Sequence, residues 1–281
     1  MPHRLAEWFA ASAPGRKRAG LSFWRETVLI SAVYVGYSFV RNVFGSSAVA
    51  PEVAAENADW IIDVEEAMGL YIEPDVQAAF IDWTAFIQFW NLFYGVAHFL
   101  VTFVALIWLY HADPGRYRFW RRTGLVATAA AVVGYALFPL MPPRLLGDCG
   151  LYGACRPDSP YVDTAIEIGG LWSFESSGLE AVSNQYAAMP SLHIGWALWC
   201  TLILVPRLHS PWGKGAAIAY PFLTLFAIVV TANHYWIDGI GGVLVVAIGW
   251  AVSSWWEQRG GPEGRGQKSQ EPSSVDSGDS H

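Results

Sequence analysis

Apolar residues fall into six long blocks along the chain, each approaching or reaching the roughly 20 residues that a helix needs to span a bilayer. The blocks cover residues 22–43, 86–110, 124–141, 191–206, 215–232 and 237–256, and the fourth is the shortest. Because each block is long and continuous, the pattern predicts an all-α membrane protein with six transmembrane helices.

Two segments between the blocks predict structure of their own. In residues 52–69, Ile61, Val64 and Met68 recur at helical spacing and Gly69 is a plausible end. Acidic residues occupy the other side of this helix: Glu52, Glu56, Asp59, Asp63 and Glu66. The pattern predicts an amphipathic helix at the outer membrane interface. The segment 142–190 is too long for an idle connection, and its Gly, Pro and aromatic content predicts a folded external lid.

Composition agrees with a membrane protein. Apolar residues make up 53% of the chain and charged residues 15%, against about 25% charged in an average soluble domain. These values argue against an ordinary soluble enzyme and against disorder as the main state. A net charge of −7 disfavours nucleic acid as a partner, because nucleic acid requires a basic surface.

The distribution of charge predicts the orientation in the membrane. Of the 17 Lys and Arg residues, all but Arg41, Arg144 and Arg156 lie before or at the start of the first block, in the 111–123 and 207–214 loops, or after the last block. Segment 45–85 contains nine Asp or Glu residues and no Lys or Arg. By the positive-inside rule, both termini are expected in the cytoplasm and the acidic segment outside a cell membrane.

This orientation divides the chain into three parts. Residues 1–21 form a cytoplasmic N-terminal segment, and residues 22–257 form one six-span membrane domain. Residues 258–281 are rich in Gly, Ser, Pro, Glu and Gln, which predicts a disordered cytoplasmic tail. In the external loop, Cys149 and Cys155 either close a disulfide in an oxidising compartment or carry no special chemistry.

Polar residues at the ends of the apolar blocks are the candidates for chemistry, because such residues are costly in a membrane. Pro190 and Ser191 are typical of a helix start, whose free N–H groups favour an anion, and His193 lies in that first turn. At the start of the sixth block, His234 and Asp238 are four residues apart and therefore neighbours on one helical face.

Arg144 precedes the long loop, and its guanidinium is well shaped for a phosphate. Since consecutive spans alternate in direction, Arg144, His193, His234 and Asp238 are all expected at the outer face. Such a group suits phosphoryl transfer, with one His attacking and the other protonating the leaving oxygen. Solvated interfacial histidines, an Asp that favours the helix dipole, and a metal site are the competing interpretations.

A second polar set lies in the second block. Asn91, Tyr94 and His98 follow one another at i, i+3 and i+7, and so share a face. Either they make hydrogen bonds between helices or they line a pocket for a lipid headgroup. Asn233, directly before His234, is a further candidate substrate contact.

These motifs resemble the phosphatidic-acid-phosphatase type 2 superfamily of membrane lipid phosphatases and phosphotransferases, whose motifs are K-x6-R-P, P-S-G-H and S-R-x5-H-x3-D. Pro190-Ser191-Leu192-His193 matches the second motif except for Leu, and His234 with Asp238 matches the end of the third. Arg144 is the remnant of the first motif. Leu137 stands where the first motif has Lys, and Ile228 stands where the third motif has Arg. The phosphate-binding site is therefore expected to contain fewer cationic side chains than these motifs provide. The resemblance covers residues 86–256.

The motifs P-S-L-H and T-x-N-H-Y-x-x-D-x-I-G-G are more similar to those of the branch that contains inositol phosphorylceramide synthase. The resemblance implies that His234 is a nucleophile forming phosphohistidine and that Asp238 orients it. It implies that His193 protonates the leaving group and activates the acceptor, and that Arg144 and Ser191 bind phosphate. No metal or other cofactor is implied.

The expected function is cleavage or transfer of the phosphate-containing headgroup of a phospholipid or polyprenyl phosphate at the outer membrane face. The acceptor is water, a polyol or a second lipid. The alternative is a non-catalytic lipid-binding or transport protein, which would have paired broken helices in related halves. No such internal symmetry is present in the sequence.

Overall fold

The computed structural model describes residues 23–43, 49–169 and 184–259, and within them the protein is all-α. The longer helices are α1 (Phe23–Val43), α2 (Pro51–Ala67), α3 (Glu73–Phe80), α4 (Thr84–Leu92), α5 (His98–Ala112), α6 (Pro114–Leu137), α8 (Leu192–Leu204), α9 (Pro211–Val230) and α10 (Trp236–Gln258). A π-helical turn, Phe93–Ala97, joins α4 to α5, and the one-turn helix α7 spans Thr164–Glu167. The N-terminal segment and the tail assigned from sequence lie outside the described residues, except for the end of α10.

Three described helical segments are long and apolar enough to cross a membrane: Thr84–Ala112, Pro211–Val230 and Trp236–Gln258. These correspond to the second, fifth and sixth blocks. Helix α8 is apolar but shorter. That α1 and α6 also span the membrane stays a prediction. The prediction that residues 111–123 form a loop is wrong. The side chain of Asp113 caps α6 by accepting from the amide of Arg116, so this helix starts at Pro114. The arginines assigned to the loop therefore lie within α6.

Helix α2 lies where the sequence predicts a helix, but its buried face differs from the predicted one. Met68 is 47% exposed, whereas Ala58, Ile61 and Glu65 are fully buried. The small alanines allow α2 to pack closely against the loop after α6 and the turn before α10. Gly69, with φ of 67°, follows the end of α2 as predicted.

Glycines bring α10 into close contact with its neighbours. A Cβ atom at Gly249 would lie 2.3 Å from the carbonyl oxygen of Thr123 on α6. A Cβ atom at Gly242 would lie 2.4 Å from the carbonyl oxygen of Ser191, at the start of α8. Helices α6, α8 and α10 therefore pack at a separation that only glycine permits at these points.

The segment 142–190 is folded where it is described. Its two ends lie side by side, because the amide of Leu140 donates to the carbonyl of Tyr186 at 2.9 Å. The Sγ atoms of Cys149 and Cys155 are 1.95 Å apart, which places a disulfide in this loop. Cys200 is buried in α8.

Candidate active site

His234 lies in a tight turn between α9 and α10. The turn follows the end of α9 at Val230, passes through Ala232 with φ of 53°, and is held by amide donation from Asn233 and His234 to the carbonyl of Ile228. This geometry brings the His234 side chain beside the first turn of α10.

Asp238 lies in that first turn and faces His234. Its Oδ2 atom is 3.1 Å from Nδ1 of His234 and also accepts from the amide of Tyr235 at 3.1 Å. The two residues are 3% and 0% exposed. The carboxylate therefore holds the imidazole with Nδ1 as the donor, which leaves Nε2 with its lone pair.

His193 is brought to the same place by the start of α8. The amide of Ser191 donates to the carbonyl of Asp238 at 2.9 Å, which ties the beginning of α8 to the first turn of α10. The ring centroids of His193 and His234 are 5.4 Å apart, with an interplanar angle of 69°. The predicted convergence of these residues is thus present in the structure.

Two aromatic rings from the π-helical turn and α5 complete this cluster. Tyr94 stacks on His193 with centroids 4.3 Å apart, and His98 meets His193 at 4.2 Å. His98 is held by its Nδ1 atom, 2.8 Å from the carbonyl of Tyr94. Single π-helical turns inside α-helices are frequent at functional sites, and this one sets the rings of Tyr94 and His98 against His193.

Arg144 is joined to the site through its backbone and held by its side chain. Its amide donates to the carbonyl of Ala232 at 2.9 Å, two residues before His234. Its guanidinium contacts Asp163 at 2.5 Å and donates to Gln185 at 2.7 Å. Sequence analysis missed Asp163 and Gln185, because loop residues distant along the chain carry no periodic signal.

The two asparagines make contacts elsewhere. Asn91 donates to the carbonyls of Thr164 and Gly169, and accepts from the hydroxyl of Thr164, so it fastens the loop around α7 to α4. Asn233 donates to the carbonyl and the hydroxyl of Thr231 within its own turn. Their predicted contact with substrate stays a prediction.

The side chain of Ser191 is fully buried at the N-terminus of α8. Within the described part of the chain, its Oγ atom has no hydrogen-bond partner. A buried hydroxyl without a partner is costly, and a ligand oxygen at this helix start would satisfy it. Among the same residues, no group of three His, Cys, Asp or Glu side chains is placed to hold a metal ion.

An apolar cavity lies next to the ring cluster. Its volume is about 110 Å³, and its lining includes Phe99, Phe103, Leu106 and Trp196. Trp196 stacks on His98, with centroids 5.8 Å apart. The ring cluster is therefore in contact with an apolar recess between α5, α6 and α8.

The sequence is similar to those of known proteins. The chain is similar to the inositol phosphorylceramide synthase catalytic subunit aur1 of Schizosaccharomyces pombe, with 27% identity over 161 residues. The alignment covers 55% of this chain and 37% of the yeast protein. No solved structure matches significantly. The model of the PAP2 superfamily matches residues 59–252, which include every residue of the His193–His234–Asp238 cluster and Arg144, and the chain therefore belongs to the PAP2 superfamily.

Proposed function

We propose that the protein is a membrane enzyme that cleaves or transfers the phosphate-containing headgroup of a lipid through a phosphohistidine on His234. The buried His234–Asp238 pair, with the ring of His193 at 5.4 Å, is the observation that carries this proposal. Membership of the PAP2 superfamily and the likeness to a synthase subunit support it.

His234 is the nucleophile. Its Nδ1–H donates to Asp238, so the lone pair on Nε2 attacks phosphorus while the bond from phosphorus to the lipid oxygen breaks. The imidazole becomes positively charged when the P–N bond forms. The buried carboxylate of Asp238 stabilises that charge, and because it is already in place no reorganisation is needed.

His193 moves the protons. It donates a proton to the departing lipid oxygen in the first step and accepts one from the incoming acceptor hydroxyl in the second. In that second step the acceptor oxygen bonds to phosphorus, the P–N bond breaks, and His234 returns to its neutral form. The stacked ring of Tyr94 limits the orientations that His193 can adopt.

Arg144 and the start of α8 bind the phosphate. The guanidinium has five N–H donors, and its contacts with Asp163 and Gln185 use two of them. The Ser191 hydroxyl and the first amides of α8 add neutral donors. These groups supply positive potential without a metal, so we expect no requirement for a divalent ion.

The substrate is a lipid with a phosphate-containing headgroup, a phospholipid or a polyprenyl phosphate. The apolar recess beside His98 and Trp196 is suited to a lipid chain, and three helices long and apolar enough to span the membrane surround the cluster. The distribution of Lys and Arg along the chain supports a site at the outer face of a cell membrane, with both termini in the cytoplasm. The acceptor is water, a polyol or a second lipid.

The experiment is turnover of a panel of labelled lipid phosphates by the full chain in detergent, with water alone, with added inositol, and with added ceramide. Parallel reactions contain EDTA. A covalent phosphoenzyme is trapped by quenching at alkaline pH, where phosphohistidine survives. We expect label on the wild type and none on His234→Ala.

His209→Ala is the matched control, because His209 is an exposed histidine in the loop before α9. It should keep full turnover and full label. Label on His234→Ala would refute the assignment of the nucleophile, and loss of turnover in EDTA would refute metal independence. Saturable lipid binding without any turnover would instead favour the non-catalytic alternative.

A further inference from the structure

Two carboxyl groups outside the site described above are completely buried. Glu65 near the end of α2 and Glu73 at the start of α3 are both 0% exposed. A buried carboxylate is costly unless it is paired or hydrogen-bonded. The sequence from 45 to 85 contains no Lys or Arg that could pair with them locally.

Both carboxyl groups contact the first residues of α10. Oε1 of Glu73 accepts from the amide of Trp236 at 2.8 Å, and Oε1 of Glu65 accepts from the amide of Ile237 at 3.3 Å. The first amides of a helix have no partner within the helix. The residue that follows these two amides is Asp238, so side chains from α2 and α3 cap the helix that carries it.

The other oxygens of the two carboxyl groups show how much charge the pair holds. With both groups ionised, Oε2 of Glu65 and Oε2 of Glu73 have no donor among the described residues. A single proton between them supplies a hydrogen bond from one to the other. Burial, followed by the charge of Glu73, raises the pKa of Glu65 to about 9, and burial also raises the pKa of Glu73, so the pair holds a proton at neutral pH.

We propose that Glu65 and Glu73 are positioning residues that share one proton, cap α10 together, and thereby hold Asp238 against His234. At neutral pH the pair carries one negative charge. Loss of the shared proton places a second negative charge beside Asp238 and leaves two buried carboxylates repelling each other. The cap then loosens, and the His234–Asp238 geometry loosens with it.

The phenols that face the pair do not change charge below pH 10. Tyr71 lies between α2 and α3 and accepts a hydrogen bond from the hydroxyl of Tyr161 at 3.0 Å, and Tyr235 precedes α10. Burial raises the pKa of all three phenols above 10. Asp238 and His234 are the remaining charged or titratable neighbours, and they already belong to the reacting pair.

The test is the pH dependence of kcat from pH 6 to 10 for Glu65→Gln, Glu73→Gln and the control Glu66→Gln, which removes an exposed carboxyl from the same helix. A group of pKa 9 is about one-eleventh protonated at pH 10, so kcat of the wild type should fall about tenfold between pH 8 and 10. Either buried glutamine variant should abolish this fall, because the amide donates the missing hydrogen bond at every pH. Glu66→Gln should keep it.

This activity measurement rests on the proposed function, so thermal unfolding of the same proteins in detergent is measured over the same pH range. Between pH 5 and 9 the melting temperature of the wild type and of Glu66→Gln should fall, and that of Glu65→Gln should fall less. If there is no turnover but the unfolding profiles differ in this way, the proposal that Glu65 and Glu73 cap α10 is supported and the proposed function is refuted. An unchanged alkaline loss of kcat in both buried variants, or failure of both to fold, would overturn the cap.

Discussion

Gly242→Ala should damage the site while leaving most of the stability intact. The new Cβ atom would lie 2.4 Å from the carbonyl oxygen of Ser191 and 3.0 Å from the amide nitrogen of Gly195. Non-bonded heavy atoms prefer separations of about 3.5 Å, so α8 and α10 must move apart by about 1 Å. The neighbouring atoms are backbone, which does not yield as a flexible side chain would.

The magnitudes for stability and for activity differ. Overpacking costs about 1–3 kcal/mol, and the better helix propensity of Ala returns about 1 kcal/mol. The free energy of unfolding should therefore fall by about 2 kcal/mol at most. The displaced backbone carries Ser191 and His193, and a 1 Å error in a reacting group costs on the order of 10²-fold in rate.

The assay is kcat of the purified variants beside their melting temperatures. Gly215→Ala in α9 is the matched control, since no atom lies within 4 Å of its Cβ position. It should keep full activity with equal or slightly higher stability. If Gly242→Ala also retained wild-type activity, the close contact between α8 and α10 would not be what positions the site.

Three more predictions follow from other contacts. Asp163→Ala should lower kcat/KM about tenfold by releasing Arg144, whereas Asp163→Asn should recover part of it; equal losses in both would contradict a positioning role. Asp113→Ala leaves the buried Arg207 unpaired and should cost about 3–5 kcal/mol in unfolding free energy, a loss absent if the pair were solvated. The pKa of Glu65 rises from 4.5 in the unfolded chain to about 9 in the folded protein. The free energy of unfolding should therefore fall by about 1.4 kcal/mol per pH unit between these two values and level off above the higher one. Glu65→Gln should lack that slope.

The sequence predicts the helices well because hydrophobic blocks and capping residues are local signals. The blocks at 215–232 and 237–256 correspond to Pro211–Val230 and Trp236–Gln258. The start of α6 was not predicted, because a row of arginines is typical of a loop between membrane spans. Asp113 and Pro114 are nevertheless residues that favour the start of a helix. The predicted face of α2 was partly wrong because hydropathy does not reveal a buried carboxyl group such as that of Glu65.

The candidate site also contains some residues that the sequence predicts and others that it does not. His234 and Asp238 are found from sequence because helical spacing fixes their contact. The partners of Arg144 are not, since Asp163 and Gln185 lie 19 and 41 residues further along the chain. Only the folded loop brings those side chains together.

The backbone around the start of α10 explains why distant segments meet at one site. The carbonyl of Asp238 accepts from the amide of Ser191, and the carbonyl of Ala232 accepts from the amide of Arg144. The amide of Trp236 donates to Glu73, which comes from the acidic segment. Three segments are thus attached within seven residues of chain, and each attachment is a hydrogen bond to a backbone group. The same hydrogen bonds that stabilise this turn therefore set the positions of His234, His193 and Arg144.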